Sequence, residues 1–364
     1  NDRGRTWTKY AGNPVIDLGE AEFRDPKVFR HEPSDRWVMV VTLAAQKKLL
    51  FFGSHDLKSW ERLGEFGPAG TPNKANWECP DLFELPIENE PGESRWVLEA
   101  DMGSGSVAGG SGGEYFIGEF DGRTFVPERP EAHWVDWGRD FYAPISWSDV
   151  PAEDGRRIWL GWFNNWETCL VPTFPWRGSM SIPRELFLRR IDGEIRLCQR
   201  PVRELAGLRQ DATRLVDLSL DSEARTLDVR GTALEIRLEI DPGTASRCGV
   251  RVLSDGDERT EIGYEREKGE LYVDRTRSGN VTFDARFPGR HAGPLSLDDQ
   301  GRLIVTIFVD ACSVEVFGGF GETVISDLVF PHEGSDRVEL FSDQGKCRVL
   351  KAEVHRLEGV WPRR

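Results

Sequence analysis

One pattern recurs three times between Phe23 and roughly Arg200: an acidic residue, a nearby proline and aromatic side chains, followed by apolar runs separated by turn residues. The openings are Phe23-Arg24-Asp25-Pro26-Lys27-Val28-Phe29, Glu78-Cys79-Pro80-Asp81-Leu82-Phe83 and Asp140-Phe141-Tyr142-Ala143-Pro144. A strongly apolar run follows each, at Trp37 to Leu43, Trp96 to Glu99 and Ile158 to Phe163. A third run follows at Leu49 to Gly53, at Tyr115 to Phe120 and in the segment before Arg184 to Leu188. These runs are short and bounded by Gly, Pro, Asp and Asn, while helix-period segments are scarce, so the chain reads as all-β. A repeat of about 55 to 60 residues suits four-stranded propeller blades whose first strands line a central channel. Each blade would then bring its opening carboxylate to one shared axis. The plainer role of Asp beside Pro and Gly is to cap a turn, and that reading stands beside the channel one for each residue.

Beyond the third repeat the pattern changes. Gln199 to Arg209 has an early proline and a Leu/Ala spacing that fits a short connecting helix. From Asp211 to His355 apolar and polar residues alternate, as in Leu234-Glu235-Ile236-Arg237-Leu238-Glu239-Ile240 and Leu303-Ile304-Val305-Thr306-Ile307-Phe308-Val309, which predicts an antiparallel sandwich. A length of 364 residues is comfortable for two cores. The expected division is a propeller over 1–198, a linker over 199–210 and a sandwich over 211–364.

A net charge of −15 disfavours nucleic acid and anionic membrane as partners, so a neutral substrate fits better. Thirteen Trp residues suit sugar faces as well as cores. No run of eighteen apolar residues is present and Asn1 to Tyr10 carry no basic-then-apolar leader, so neither a membrane span nor a signal peptide is expected. Cys79, Cys169, Cys198, Cys248, Cys312 and Cys347 lie far apart without clustered His, which argues against a zinc site and for buried thiols.

Asp25 and Glu78 stand out among the channel-lining openings. Glycosidic cleavage needs one carboxylic acid to protonate the leaving oxygen and carboxylates to stabilise a cationic sugar. Glu78, between Trp77 and Cys79-Pro80, lies in an apolar, aromatic stretch that would raise a carboxyl toward the range of an acid/base. Arg24 would keep Asp25 ionised and could donate to sugar hydroxyls, although neighbours in a strand point to opposite faces. The glycine-rich Gly103 to Gly113 precedes a strand and is expected to be a flexible loop at the channel rim, not a phosphate cradle. No G-x-S-x-G elbow occurs, and the six scattered His residues read as surface or structural.

At these residues the sequence resembles glycoside hydrolase family 32, which includes invertases, inulinases, levanases and fructosyltransferases. Asp25 within F-R-D-P-K-V-F is similar to the family's Arg-Asp-Pro motif, whose Asp stabilises the transition state by holding fructose hydroxyls. Glu78 within W-E-C-P-D-L-F is similar to its Glu-Cys motif, whose Glu is the acid/base. Gly161-Trp162 with Asn165-Trp166, Pro175-Trp176-Arg177-Gly178, Asp274 to Gly279 and Ser313 to Phe317 resemble further family segments. The resemblance implies a five-bladed propeller joined to a β-sandwich and retaining hydrolysis at the fructosyl C2, without metal or cofactor. Asp140 and Trp166 would help line the fructose pocket, against plainer roles as a strand-start cap and a core Trp.

The family's nucleophile is the Asp of a W-M-N-D-P-N-G motif, and no such string occurs in these 364 residues. Asn1-Asp2-Arg3-Gly4-Arg5-Thr6-Trp7 resembles instead a turn and strand closing the second blade, which leaves blades three to five here. The expectation is therefore a truncated chain, weak or inactive by itself, completed by a separate amino-terminal fragment or another subunit. Sucrose or fructan hydrolysis competes with fructosyl transfer and with non-catalytic fructan binding, and an extracellular location is expected.

Overall fold

The computed structural model describes residues 2–73 and 75–360; Asn1, Lys74 and 361–364 lie outside the described residues, and with them the first residue of the expected opening turn and the end of the expected sandwich range. Three antiparallel sheets come first. Phe23–His31, Arg36–Leu43, Lys48–Ser54 and Glu61–Phe66 pair in sequence order as one blade. Trp77–Pro86, Ser94–Met102, Gly112–Phe120 and Phe125–Pro127 form the second, with His133–Trp134 also on its third strand. Tyr142–Ser146, Arg157–Phe163, Arg184–Ile191 and Glu194–Pro201 form the third. Arg184–Ile191 is itself the third strand of that blade, where the sequence placed it just upstream. The segment upstream holds only the two-residue strand Ser179–Met180.

The blades explain why their middle strands read as unbroken apolar runs. Val38, Val40, Leu49 and Phe51 face Leu82, Leu98 and Phe116 of the second blade. The intervening Met39, Val41, Leu50 and Phe52 cover the opposite face with Ile16 and Trp60. A sheet covered on both faces has no polar side to alternate with. Phe83, Leu85, Val97 and Ile117 of the second blade likewise meet Phe141, Trp159, Leu186 and Leu188 of the third. Each such buried side chain is worth about 1.5–3 kcal/mol of transfer free energy.

Residues 2–22 contain the expected turn, with Asp2 accepting from the Arg5 amide at 3.1 Å, but no strand. Among the described residues no strand pairs with this segment, although Ile16 packs on the Met39 and Val41 cluster of the first sheet. The short helix in the connection is a 3₁₀ helix, Arg203–Leu208. The connection is tighter than 199–210, because Gln199 to Pro201 still pair within the third blade and Arg209 already starts the first sandwich strand.

Two six-stranded antiparallel sheets make the sandwich. Leu234, Ile236, Leu238 and Ile240 point into its single large core, and their alternating neighbours do not. The segment 136–140 joins the two domains by docking on the edge strand Thr323–Leu328, with Trp137 N donating to Val324 O at 2.8 Å and Asp140 N to Ser326 O at 3.0 Å. Gly138 permits this approach, since a Cβ there would lie 2.2 Å from Ser326 N.

Candidate active site

The first strands of all three blades share one irregularity. Their pairing with the second strand slips between Arg24 and Lys27, between Glu78 and Asp81, and between Tyr142 and Ile145. In each bulge a non-glycine residue sits in left-handed backbone just before a proline: Asp25 at φ 60°, Cys79 at φ 47° and Ala143 at φ 50°. Proline has no N–H to offer the ladder, and the extra residue bends the strand, so adjacent side chains no longer alternate across the sheet. Such backbone costs about 1–3 kcal/mol and persists where surrounding contacts fix it. Here Asp25 Oδ2 accepts from the Cys79 amide at 3.0 Å, tying one bulge to the next.

Arg24, Glu78 and Tyr142 occupy the same place in the three bulges, one residue before the left-handed position, and they converge. Arg24 Nη2 donates to Glu78 Oε1 at 2.8 Å, and the Tyr142 hydroxyl donates to Glu78 Oε2. Arg24 Nε lies 3.7 Å from Asp25 Oδ2, so one guanidinium spans the two predicted carboxylates. The sequence reading of opposite faces for Arg24 and Asp25 fails because the bulge, not the regular pleat, sets their directions. Just past the bulges a second tier forms: Lys27 Nζ lies 3.4 Å from Asp81 Oδ2, which also accepts from the Ser146 amide at 2.7 Å.

Hydrogen bonding to Glu78 and Glu22 pushes Arg24 above its ordinary range, so it stays a cation. Burial pushes the Tyr142 phenol up, with its hydrogen bond to Glu78 adding, so its hydroxyl keeps its proton and remains a donor. The Cys79 thiol is raised first by burial and then by the surrounding carboxylates, and it stays a thiol. The expected aromatic setting of Glu78 is present, but through Tyr142. Trp77 turns into the blade core with 0% exposure and donates to Glu114 Oε1 at 2.8 Å.

Trp166 is 56% exposed, its ring 5.0 Å from that of Trp162, which in turn lies 6.3 Å from Tyr142. An aromatic path thus leads from Glu78 outward, with Trp166 at its open end. The glycine-rich loop stands across from it and is anchored, not loose. Asn165 Nδ2 donates to the carbonyls of Gly109 and Ser111 at 3.2 and 3.4 Å, and Arg139 Nη1 to that of Ala108 at 2.8 Å. Gly110 has to be glycine for this contact, because a Cβ would meet Asn165 Oδ1 at 2.1 Å. At the loop's start, a Cβ on Gly103 would sit 3.4 Å from Glu78 Oε2.

Asp140 is not part of this site. It has 0% exposure, its Oδ2 accepts from Arg275 of the sandwich and from the Leu328 amide at 2.8 Å, and it holds the domain interface. The residue missed in its place is Tyr142. Aligning the three openings on their prolines, instead of on their acidic residues, puts Tyr142 in register with Arg24 and Glu78.

The chain matches the model of the glycosyl hydrolases family 32 N-terminal domain over residues 1–201 and that of the family 32 C terminal over 204–356. It is 44% identical to a levanase of Bacillus subtilis (strain 168) over 99% of this chain and 54% of that protein, so it spans about half of that relative. It is 36% identical to the extracellular exo-inulinase of Aspergillus niger over 99% of this chain and 71% of the relative. The structure superposes on the exo-inulinase of Aspergillus awamori with a TM-score of 0.91 at 34% identity, covering 99% of this chain and 73% of that one. A β-fructofuranosidase from Schwanniomyces occidentalis gives 0.89 at 30% identity, over 98% and 74%. With both halves matched in order and the three blades and sandwich in place, the chain belongs to glycoside hydrolase family 32.

Proposed function

We propose that this chain carries the acid/base and the transition-state-stabilising carboxylate of an enzyme that cleaves β-fructofuranosidic bonds in sucrose, inulin or levan with retention. The observation that carries the reading is Arg24 bridging Asp25 and Glu78 while Tyr142 holds the other oxygen of Glu78. In its acid form Glu78 gives a proton to the leaving oxygen; as a carboxylate it then takes one from the incoming water. Asp25 holds fructose hydroxyls as positive charge develops on the sugar, and Arg24 orients both carboxyls. Trp166, at the outer end of the aromatic path, offers a flat face to a sugar ring. The covalent step needs a further carboxylate as nucleophile, and the family's W-M-N-D-P-N-G motif is not among these residues. The reading therefore applies to the chain completed by a segment or subunit bearing that motif. The inulinase relatives are named extracellular, and we place this protein outside the cell as well.

Fructose release from sucrose, inulin and levan tests this, with the chain alone and with the chain joined to a nucleophile-bearing segment. The joined protein is expected to turn over and the chain alone to be weak or inactive; full turnover by the chain alone would show the nucleophile misplaced. Glu78→Gln should cost about 10² to 10⁴ in rate. A loss below tenfold would remove Glu78 from the acid/base role.

A further inference from the structure

Beside Glu78 lie two buried carboxyls without a cationic partner among the described residues. Asp101 is the direct cross-strand partner of Glu78, and Glu99 is that of Asp81. Residues directly opposed in an antiparallel pair project from the same face with Cβ atoms about 4.5–5.5 Å apart, so Asp101 flanks the proposed acid/base. Both Glu99 and Asp101 have 0% exposure; among the described residues their four carboxyl oxygens lack a well-formed hydrogen bond, and the polar groups beside them are each other and, for Asp101, the Ala143 amide. The nearby cations are engaged elsewhere, Arg24 with Glu22 and Glu78 and Lys27 with Asp81. The two carboxyls meet over Gly113: a Cβ there would lie 2.8 Å from Asp101 Oδ1 and 2.9 Å from Glu99 Oε1.

Two ionised carboxylates cannot rest in such a place, because each would bear several kcal/mol of desolvation without a partner and each would repel the other. Protons remove both penalties, and a protonated carboxyl brings its own donor to its neighbour. Burial drives both groups well above the ordinary carboxylate range, with the Asp101 charge adding for Glu99 and the Glu78 charge for Asp101. The other titratable groups facing the pair are Cys79 and Asp81 on the strand of Glu78, Asp25 on the first blade and Glu114 on the third strand of the second. Tyr142 faces it from the third blade. Among the described residues no group of three or more His, Cys, Asp or Glu is placed to hold a metal ion.

We propose that Glu99 and Asp101 form a proton-holding pair coupled to Glu78, and that Asp101 is thereby a positioning residue which extends to higher pH the range over which Glu78 keeps its acid proton. The inference rests on the assignment of Glu78 given above. Arg24 and Tyr142 both donate to Glu78, an arrangement that suits a carboxylate. The pair works in the opposite sense: whenever Asp101 gives up its proton, the new charge opposite Glu78 favours a proton there. Through one catalytic cycle Glu78 loses a proton to the leaving oxygen and regains one from water, and the protons of the pair stay in place.

Infrared difference spectra of the 364-residue chain at neutral pH, wild type against Asp101→Asn and against Glu99→Gln, read the pair directly. The expected result is a carboxylic-acid carbonyl band present in the wild type and lost in each variant. Loss of carboxylate bands instead would overturn the proposal whether or not the chain is an enzyme. In the chain joined to its nucleophile-bearing segment, Asp101→Asn should leave the onset of the alkaline limb of kcat/KM in place and cut short its high-pH end by half a unit or more, because an ionised Asp101 no longer holds a proton on Glu78 there, and Asp101→Glu should restore part of it. Superimposable limbs would overturn the coupling. Full turnover by Glu78→Gln would instead sink the acid/base assignment, an outcome the infrared result does not depend on.

Discussion

Arg184 gives the most quantitative prediction. It has 0% exposure and lies where the third blade meets the sandwich. Its five N–H groups reach Glu315 twice, at 3.2 and 2.6 Å, Asp136 and Gln199 at 3.0 Å each, and Ser326 at 2.7 Å. Its guanidinium also stacks 4.0 Å from the centre of the Phe141 ring. Replacing it by Met keeps much of the volume and takes the cation from Asp136, which retains the Gly138 amide and the Ser326 amide and hydroxyl as donors, and from Glu315, which retains only the Ile182 amide and is the more stranded of the two; burial already raises both above the ordinary range. The protein can hold each stranded carboxylate or protonate it. Protonating a group that titrates near pH 4 when unfolded costs about 1.36 kcal/mol per pH unit, or roughly 4 kcal/mol at pH 7 and about 1.4 at pH 5. Breaking buried pairs generally costs about 3–5 kcal/mol, the same range. Groups raised on folding contribute stability that is complete below their unfolded values and lost as pH rises through the folded ones. The deficit of Arg184→Met should thus grow from pH 5 to pH 7. Urea unfolding followed by tryptophan fluorescence should give a loss of about 3–5 kcal/mol at pH 7 and about half of that or less at pH 5. Adding Asp136→Asn and Glu315→Gln should recover most of it. A loss below about 1 kcal/mol, or one equal at both pH values, would refute the reasoning.

Other outcomes follow from the same contacts. Tyr142→Phe removes a hydrogen bond to a charged group worth about 1.5–3 kcal/mol, so kcat/KM of the completed enzyme should fall about 10- to 150-fold; a change below threefold would detach Tyr142 from the chemistry. Asn165→Ala removes the ties to Gly109 and Ser111 and should open the loop around residues 103–113 to limited proteolysis, while unchanged protection would mean that the loop holds itself. Asp140→Asn should destabilise the fold by about 2–4 kcal/mol, because Arg275 keeps only Asp327, at 3.7 Å, as a charged partner, and it should leave the KM for fructan within about twofold. A large KM effect without a stability loss would return Asp140 to the sugar pocket.

The blades and the sandwich were legible because strand length, apolar runs and alternation are local properties. Trp37 to Leu43 announces a sheet covered on both faces, and Leu234 to Ile240 one covered on a single face. What stayed hidden depends on pairing. Asp140 looked like a third channel acid because it is acidic and precedes a proline, yet it stands four places before Pro144, whereas Glu78 stands two places before Pro80, as Arg24 does before Pro26. Counting two places back from each proline would have selected Tyr142. In the sequence Glu99 only closes an apolar run and Asp101 only precedes the glycine-rich loop; the ladder register is what sets Asp101 opposite Glu78. The ion cluster of Arg184 with Glu315, and that of Arg275 with Asp140, join residues more than a hundred positions apart, which no local pattern foretells.

The proline-led bulges carry a consequence for how such a site can change. In each, the bend is made by the left-handed residue and the proline after it, and the side chain that reaches the centre belongs to the residue before. Shape and chemistry are thereby assigned to different positions. The reaching residue can be exchanged, a guanidinium for a phenol or a carboxyl for an amide, while the curvature that aims it is inherited unchanged. Three such mounts around one axis let new combinations of groups be tried a residue at a time on an otherwise fixed frame.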